Sequence, residues 1–238
     1  MDYMRLLAEE SGAYSVNGPL QVFEYELFGM KLAFSESIIV EWIVMIILGL
    51  LFFFLGRNLK VRPTPKRQVI LEMAVTTVCG MVNDSMGPRY KKYTPYIGAL
   101  FCFSMISSLM GLLGLRAPTA DVSVVGAWGI ITFVLVQRNK FRTGGVKGFF
   151  KGFVEPMPFM LPFNIIGEIA NPLSQTLRHF GNILTGMVIG GLIYYALGNF
   201  AVGVPAVLSL YFDLFSSLIQ AYIFVTLTMS YVAMAECD

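Results

Sequence analysis

The chain has 238 residues, 56% of them hydrophobic and 13% charged, with a formal net charge of +2. An ordinary soluble domain is about one-quarter charged. So short and apolar a chain cannot bury its surface in one aqueous core and must take lipid as part of its solvent, which excludes a soluble enzyme or a nucleic-acid-binding module. The single histidine, His179, excludes a multi-histidine metal centre. Cys79, Cys102 and Cys237 are widely spaced and odd in number, so they form neither a disulfide framework nor a thiolate metal site. Phosphate loops, nucleophile elbows and zinc motifs are absent from the sequence, and no cofactor is expected.

In chain order, residues 1–35 are mixed and partly acidic and read as an extracytoplasmic arm, with a short hairpin expected at Asn17-Gly18. The opening MDYMRLLAEESGAYSVNG lacks the apolar core of a signal peptide, so later segments are expected to drive insertion. Residues 36–238 form the transmembrane domain, with spans expected at 38–55, 95–115, 122–137, 161–197 and 202–235. Trp42 marks one interface of the first span, and Glu41 is expected to reach the headgroups there. Residues 68–83 are short and interrupted by Glu72, Thr76 and Thr77, which suits a helix lying in the interface or packing on the aqueous side. The segment 138–151 is basic and glycine-rich and reads as a loop. The fold class expected is therefore an all-α integral membrane protein. It has five transmembrane helices and one interfacial amphipathic helix, and its last two spans exceed the roughly 20 residues a straight crossing needs, so they are long and tilted.

All but four of the 17 Lys and Arg residues fall at 57–67, 89–92 and 138–151. Basic loops stay in the cytoplasm, so the N-terminus is expected outside and the C-terminus inside. The exceptions are Arg5, Lys31, Arg116 and Arg178, and only Arg178 lies within a hydrophobic segment. More than about 20 Å of helix separates it from either end of 161–197, too far for easy snorkelling. A guanidinium cannot escape by losing its proton. It must therefore meet water, a carboxylate or another subunit; an internal ion pair is the purely structural way to accommodate it. Asn171, Ser174, Gln175, Asn182 and Thr185 recur around Arg178 at helical spacing and are expected to form one polar stripe with it. Glu168 lies on one axial side of the arginine, and Asp213 and Gln220 stand on the next long segment. One acid on each side of a fixed cation suits two offset aqueous paths, with Asp213 on the outer path and Glu168 on the inner.

At LPFNIIGEIANPLSQTLRHFGNILTG, and again at LFSSLIQAYIFVTLTMSYVAMAE, the sequence resembles subunit a of bacterial F-type rotary ATP synthases. The resemblance spans about 35–238, with its core at 156–238. It implies a non-catalytic stator subunit in the bacterial plasma membrane. Its partners would be a ring of c subunits bearing mid-membrane carboxylates, the b subunits of the peripheral stalk and the rest of the complex. It further implies that Arg178 matches the family's essential arginine, that Asn182 and Gln220 match its helix-borne amides, and that the long last spans cradle the ring. Some relatives carry histidine at the position of Asp213, a carboxylate at that of Met187 and glutamate at that of Asn164, so the acids here are differently placed. The ion passed is a proton or a sodium ion. A self-contained secondary transporter or channel is the alternative; it would show repeats, a midplane cavity or a filter loop, and none is visible in the sequence.

Overall fold

The computed structural model describes residues 21–27, 30–57, 59, 66–113, 115–154, 157–197, 203, 207 and 210–235. Strands β1 (Gln21–Leu27) and β2 (Met30–Ser35) pair antiparallel, with Leu27 opposite Met30 and Glu26 opposite Lys31. An antiparallel strand pair thus precedes the membrane domain; the hairpin expected at Asn17-Gly18 lies outside the described residues. Among the described residues from Glu36 onward the regular elements are helical, the long helices being α1 (Glu36–Gly56), α2 (Lys66–Met86), α3 (Thr94–Leu109), α4 (Val122–Val154), α5 (Leu161–Leu197) and α6 (Ser216–Met234). Short 3-10 turns flank α3, and a π-helical turn, Leu210–Phe215, leads into α6.

Five of these segments are long and apolar enough to cross a membrane: α1, α2, Pro88–Leu113 containing α3, α4 and α6. Only 17% of the α1 window is buried, and Ile43, Ile46, Leu50, Phe53 and Phe54 project from the bundle. In water such a surface would be severely unfavourable; in acyl chains it is matched solvent. The buried residues of α1, Ser37, Val40, Val44 and Leu48, recur every three or four positions, and the last three pack with Met110 against Cys102, Phe103 and Ile106 around α3. Helix α6 is the most enclosed span, with 44% of its window buried. Its Phe224, Val225, Met229 and Val232 form the central core with Ile97 of α3, Trp128 of α4 and Val82 of α2.

The segment expected at 68–83 is a helix of 21 residues, Lys66–Met86, long enough to cross but the least apolar of the five. Two other expectations are revised. The loop expected at 138–151 is helical, because Asn139 is buried there and donates to the Val232 carbonyl at 3.0 Å while accepting from the Tyr93 hydroxyl at 3.4 Å. Tertiary bonds thus extend α4 beyond its apolar run, until Gly145 breaks it with φ +60°, a conformation L side chains rarely adopt. Beyond the break Phe149 returns to stack on Phe141 at 4.2 Å. The run 202–235 is not one uniform α-helix: a π-helical turn, Leu210–Phe215, precedes α6.

Helices α4 and α5 form a close antiparallel pair. A Cβ on Gly129 would collide with the Thr176 hydroxyl and stand 3.3 Å from the Pro172 carbonyl. Small residues at such crossings let backbones approach where no hydrophobic effect drives helices together. Gly129→Val should force the pair apart at a cost of about 1–3 kcal/mol. Thermal unfolding of the detergent-solubilised protein should show a lowered midpoint for this variant. Gly80→Ala should show none, since a Cβ at Gly80 meets nothing within 4 Å. Equal midpoints would contradict the close contact.

Candidate ion path

Arg178 stands near the middle of the 37-residue α5, on its exposed side. Asn171, Ser174, Asn182 and Thr185 are exposed on the same face, spaced three and four residues apart. Leu173 and Leu177 beside them are 54% and 50% exposed. Among the described residues Arg178 makes no ion pair and no hydrogen bond. An arginine embedded within a membrane helix costs at least a few kcal/mol on insertion scales. The internal ion pair that could have explained it is not formed by the described residues, so its compensation comes from water or from a group outside them.

The opposite face of α5 is tied into the bundle. Gln175, expected in the arginine's stripe, instead turns inward: its Nε2 donates to the Phe224 carbonyl at 2.8 Å and to Thr228 Oγ1 at 2.9 Å. Thr132 of α4 reaches the same Thr228 hydroxyl at 3.5 Å. One turn on, His179 is 0% exposed and lies edge-on to Trp128 and Phe224, with ring centroids 5.9 and 5.5 Å away. A further turn outward, Asn182 Nδ2 donates to Gln220 Oε1 at 2.7 Å. The pairs 175–228, 179–224 and 182–220 define one antiparallel register between α5 and α6. Two amides that the sequence singled out separately are thus brought together, with Gln220 itself buried.

Two polar-edged clefts flank the arginine along α5. One, of about 150 Å³, is lined by Lys140, Glu168, Asn171, Pro172, Tyr231 and their neighbours. The other, of about 260 Å³, is lined by Asn182, Thr185, Gly186, Tyr211, Ser216 and Gln220. Pro172 and Asn182 are about 15 Å apart along the helix, with Arg178 between them. Glu168 is paired with Lys140 of α4 and accepts from Gln137 Nε2 at 2.6 Å. Pro172 has no N–H, so the carbonyl of Glu168 has no intrahelical partner at the same cleft. Asp213 lies on the π-helical turn; its side chain is outside the described residues. Sequence reasoning missed Lys140 and Gln137 as partners of Glu168, because it ended the third span at Gln137; their exclusion from a purely basic loop needed the extended α4. It also placed Glu41 among headgroups, whereas that carboxyl turns inward towards Ser107 and Trp128 and its Oε2 is buried.

These features define a polytopic α-helical membrane protein with a cation midway along α5, unpaired among the described residues and set between two polar-edged clefts, the attributes of an ion-translocating subunit. The ATP synthase A chain family matches residues 38–233. The chain is 38% identical over 212 residues to "ATP synthase subunit a, sodium ion specific" of Propionigenium modestum, covering 82% of this chain and 72% of that protein. It is 33% identical over 204 residues to "ATP synthase subunit a 2" of Bradyrhizobium sp. (strain BTAi1), covering 85% and 89%. It is 32% identical over 201 residues to "ATP synthase subunit a 1" of Crocosphaera subtropica, covering 84% and 86%. The chain belongs to the ATP synthase A chain family, and it is an ion-translocating subunit of the membrane sector of F-type ATP synthase.

Gln175→Leu should remove both bonds to α6 and lower stability by about 1 kcal/mol, the scale of hydrogen bonds between membrane helices. Ser174→Ala, on the exposed face, should leave the thermal midpoint unchanged. The opposite ranking in a thermal melt would show that Gln175 does not hold the two helices together.

Proposed function

We propose that this chain passes ions through two offset half-channels that meet at Arg178, and that its exposed stripe faces a rotating ring of c subunits carrying one carboxylate each. The observation that carries this reading is the guanidinium itself: exposed, unpaired among the described residues, and set between two polar clefts. A ring carboxylate arriving ionised would supply the missing charge. The arginine would hold it while its cation leaves by one cleft, and would repel a cation attempting the direct route between the clefts. The cleft at Asn182, Ser216 and Gln220, with Asp213 on the adjoining turn, is the outer path. The cleft at Glu168 and Asn171 is the inner path, where Lys140 and Gln137 hold the carboxylate at its mouth. Ser174 lines the ring-facing stripe, and Gln175 positions it by fixing the rotation of α5 against α6.

The topology follows from charge. Both flanks of α2, at 57–67 and 89–92, are basic. Under the positive-inside rule both flanks are cytoplasmic, so α2 returns to the side it left and lies along the inner interface. The five other long helices then cross, with the N-terminal arm outside and the C-terminus inside, in a bacterial plasma membrane. The subunit is itself non-catalytic and works beside the c-ring, the b subunits of the peripheral stalk and the catalytic sector. One charge crossing yields about 2.3 kcal/mol per 100 mV, so rotation must sum several crossings for each ATP. The relative from Propionigenium modestum is named as sodium ion specific; a sodium requirement for ATP hydrolysis by the whole complex distinguishes sodium from protons here.

Arg178→Ala should abolish ion-driven ATP synthesis in inverted vesicles while the complex still assembles; normal synthesis in that variant would exclude the assigned role. Asp213→Asn should slow ion entry from the outer side by several-fold. Passive conduction through vesicles stripped of the catalytic sector measures this, and an unaltered rate would remove Asp213 from the path.

A further inference from the structure

The basic segment after Gln137 builds a feature that the ion path does not use. Gly145 breaks α4 with φ +60°, and residues 146–154 return as a second helical stretch. There Phe149 stacks on Phe141 at 4.2 Å and meets Phe153 edge-on at 5.2 Å. Asn164 Nδ2 of α5 donates to the Phe153 carbonyl at 2.9 Å, which ties the returning stretch to the start of α5. Between them lies a cavity of about 660 Å³, walled by Phe133 and Phe141 of α4, Phe150 and Phe153 of the returning stretch, and Leu161 and Ile165 of α5. Among the described residues that line it only Gln137 and Glu168 are polar, and they bond to one another at 2.6 Å. The cavity therefore offers a ligand hydrocarbon contact and few hydrogen bonds. Phe133 and Ile169 also line a second apolar cavity, of about 350 Å³, further along the same helix pair. The space is thus elongated along α4 and α5, which suits a chain better than a compact molecule.

The border of this cavity is cationic. Residues 138–154 hold five basic side chains, Arg138, Lys140, Arg142, Lys147 and Lys151, and no acid. Gln137 and Phe141 line the cavity, and Arg138 and Arg142 each follow by one position, about 100° round the helix. On the returning stretch Phe149, Phe150 and Phe153 occupy one face, and Lys147 and Lys151 another. Arg138, Arg142 and Lys147 are exposed and form no ion pair among the described residues. Lys140, although paired with Glu168, also holds its Nζ 5.6 Å from the centroid of the Phe153 ring, so positive charge reaches the cavity wall itself. An apolar slot beside uncompensated cations is complementary to a molecule with a hydrocarbon tail and an anionic head. Under the topology proposed above this end of α4 faces the cytoplasm, and basic pockets between membrane helices on that side receive anionic lipid headgroups.

We propose that the crevice between α4, the returning stretch 146–154 and the start of α5 binds one anionic phospholipid of the inner leaflet. An acyl chain lies among Phe133, Phe141, Phe150 and Phe153, and the phosphate meets Arg142 and Lys147, which flank the break at Gly145. The site rests on the proposed topology, which sets the leaflet that supplies the lipid; it does not rest on the half-channels. The bound lipid braces the returning stretch against α5, beside the Lys140–Glu168 pair of the inner cleft.

The test uses the complete ATP synthase in nanodiscs of equal parts phosphatidylglycerol and phosphatidylcholine, with a diazirine in the acyl chain of either lipid in turn. After illumination, labelled peptides of this chain are quantified by mass spectrometry, a readout independent of ion flow. Peptides from 133–165 should take several-fold more label from phosphatidylglycerol than from phosphatidylcholine. Helix α1, which exposes Ile46 and Leu50 and carries no Lys or Arg, should take equal label from both. Arg142→Gln combined with Lys147→Gln should lower the preference at 133–165 to that of α1, whereas Arg142→Lys combined with Lys147→Arg, which keeps the charge, should retain it. Equal labelling of 133–165 by the two lipids in the unaltered complex would overturn the site, leaving bulk lipid only. Label on α1 with none at 133–165 would overturn it as well, because protein would then fill the crevice. Neither result touches the topology. That is read separately from Lys147→Cys, in a background with Cys79, Cys102 and Cys237 replaced by serine, and a membrane-impermeant maleimide. Reaction from the inner side alone is expected; reaction from the outer side alone would overturn the topology and the inner-leaflet site together.

Discussion

The structure is organised around a positive charge that cannot be neutralised where it stands. Arginine keeps its proton under any condition a membrane protein meets, and α5 holds Arg178 about midway along its length, on an exposed face, without a partner among the described residues. The helix can hold it there because its other face is secured by other means. Gln175 and Asn182 bond across to α6, His179 wedges between Trp128 and Phe224, and Gly129 lets α4 close against Thr176. Hydrophobic association is weak between helices already solvated by lipid, so such bonds and close approaches set the rotation of α5. A turn of α5 by one residue, about 100°, would carry the charge into the core.

The two clefts are consequences of the same arrangement. Where α5 and α6 are held in register, at 175–228 and 179–224, they pack closely, and the bonded pair 182–220 forms the edge of the outer cleft. Where the register ends, towards the π-helical turn on one side and towards Pro172 and the extended end of α4 on the other, space opens and polar groups line it. A wider helical turn and a proline both interrupt regular backbone bonding, and both lie at the margins of the bonded zone. The same irregularities that loosen the helices thus supply the polar surface an ion requires.

Much of this was legible in the sequence. The apolar runs gave the all-α membrane class, the 37-residue extent of α5 and the isolation of Arg178, because hydropathy and length act locally along the chain. Asn182 and Gln220 were each singled out by the family resemblance; that they bond to one another, at 2.7 Å, is a finding of the structure. What failed depended on partners distant in sequence. Gln175 shares the arginine's helical spacing, yet Phe224 and Thr228 draw it inward. The basic segment after Gln137 reads as loop until Val232 and Glu168 are known to receive Asn139 and Lys140. Glu41 sits one turn into a span and reads as a headgroup contact, because nothing nearby announces Ser107 and Trp128 opposite it. Periodicity tells which residues share a face; it does not tell what that face will meet.

The exposed stripe has a consequence for biogenesis. A protomer newly released into the bilayer, before any neighbour has docked, would present Asn171, Ser174, Arg178 and Asn182 to acyl chains. If the stripe faces an acidic membrane neighbour, as proposed, its lowest-energy resting place is not the open bilayer but the site where that neighbour stands. Maturation of the subunit would in this sense be bimolecular: the last step of its folding would be the meeting with its counterion, and an orphan copy would remain energetically unfinished.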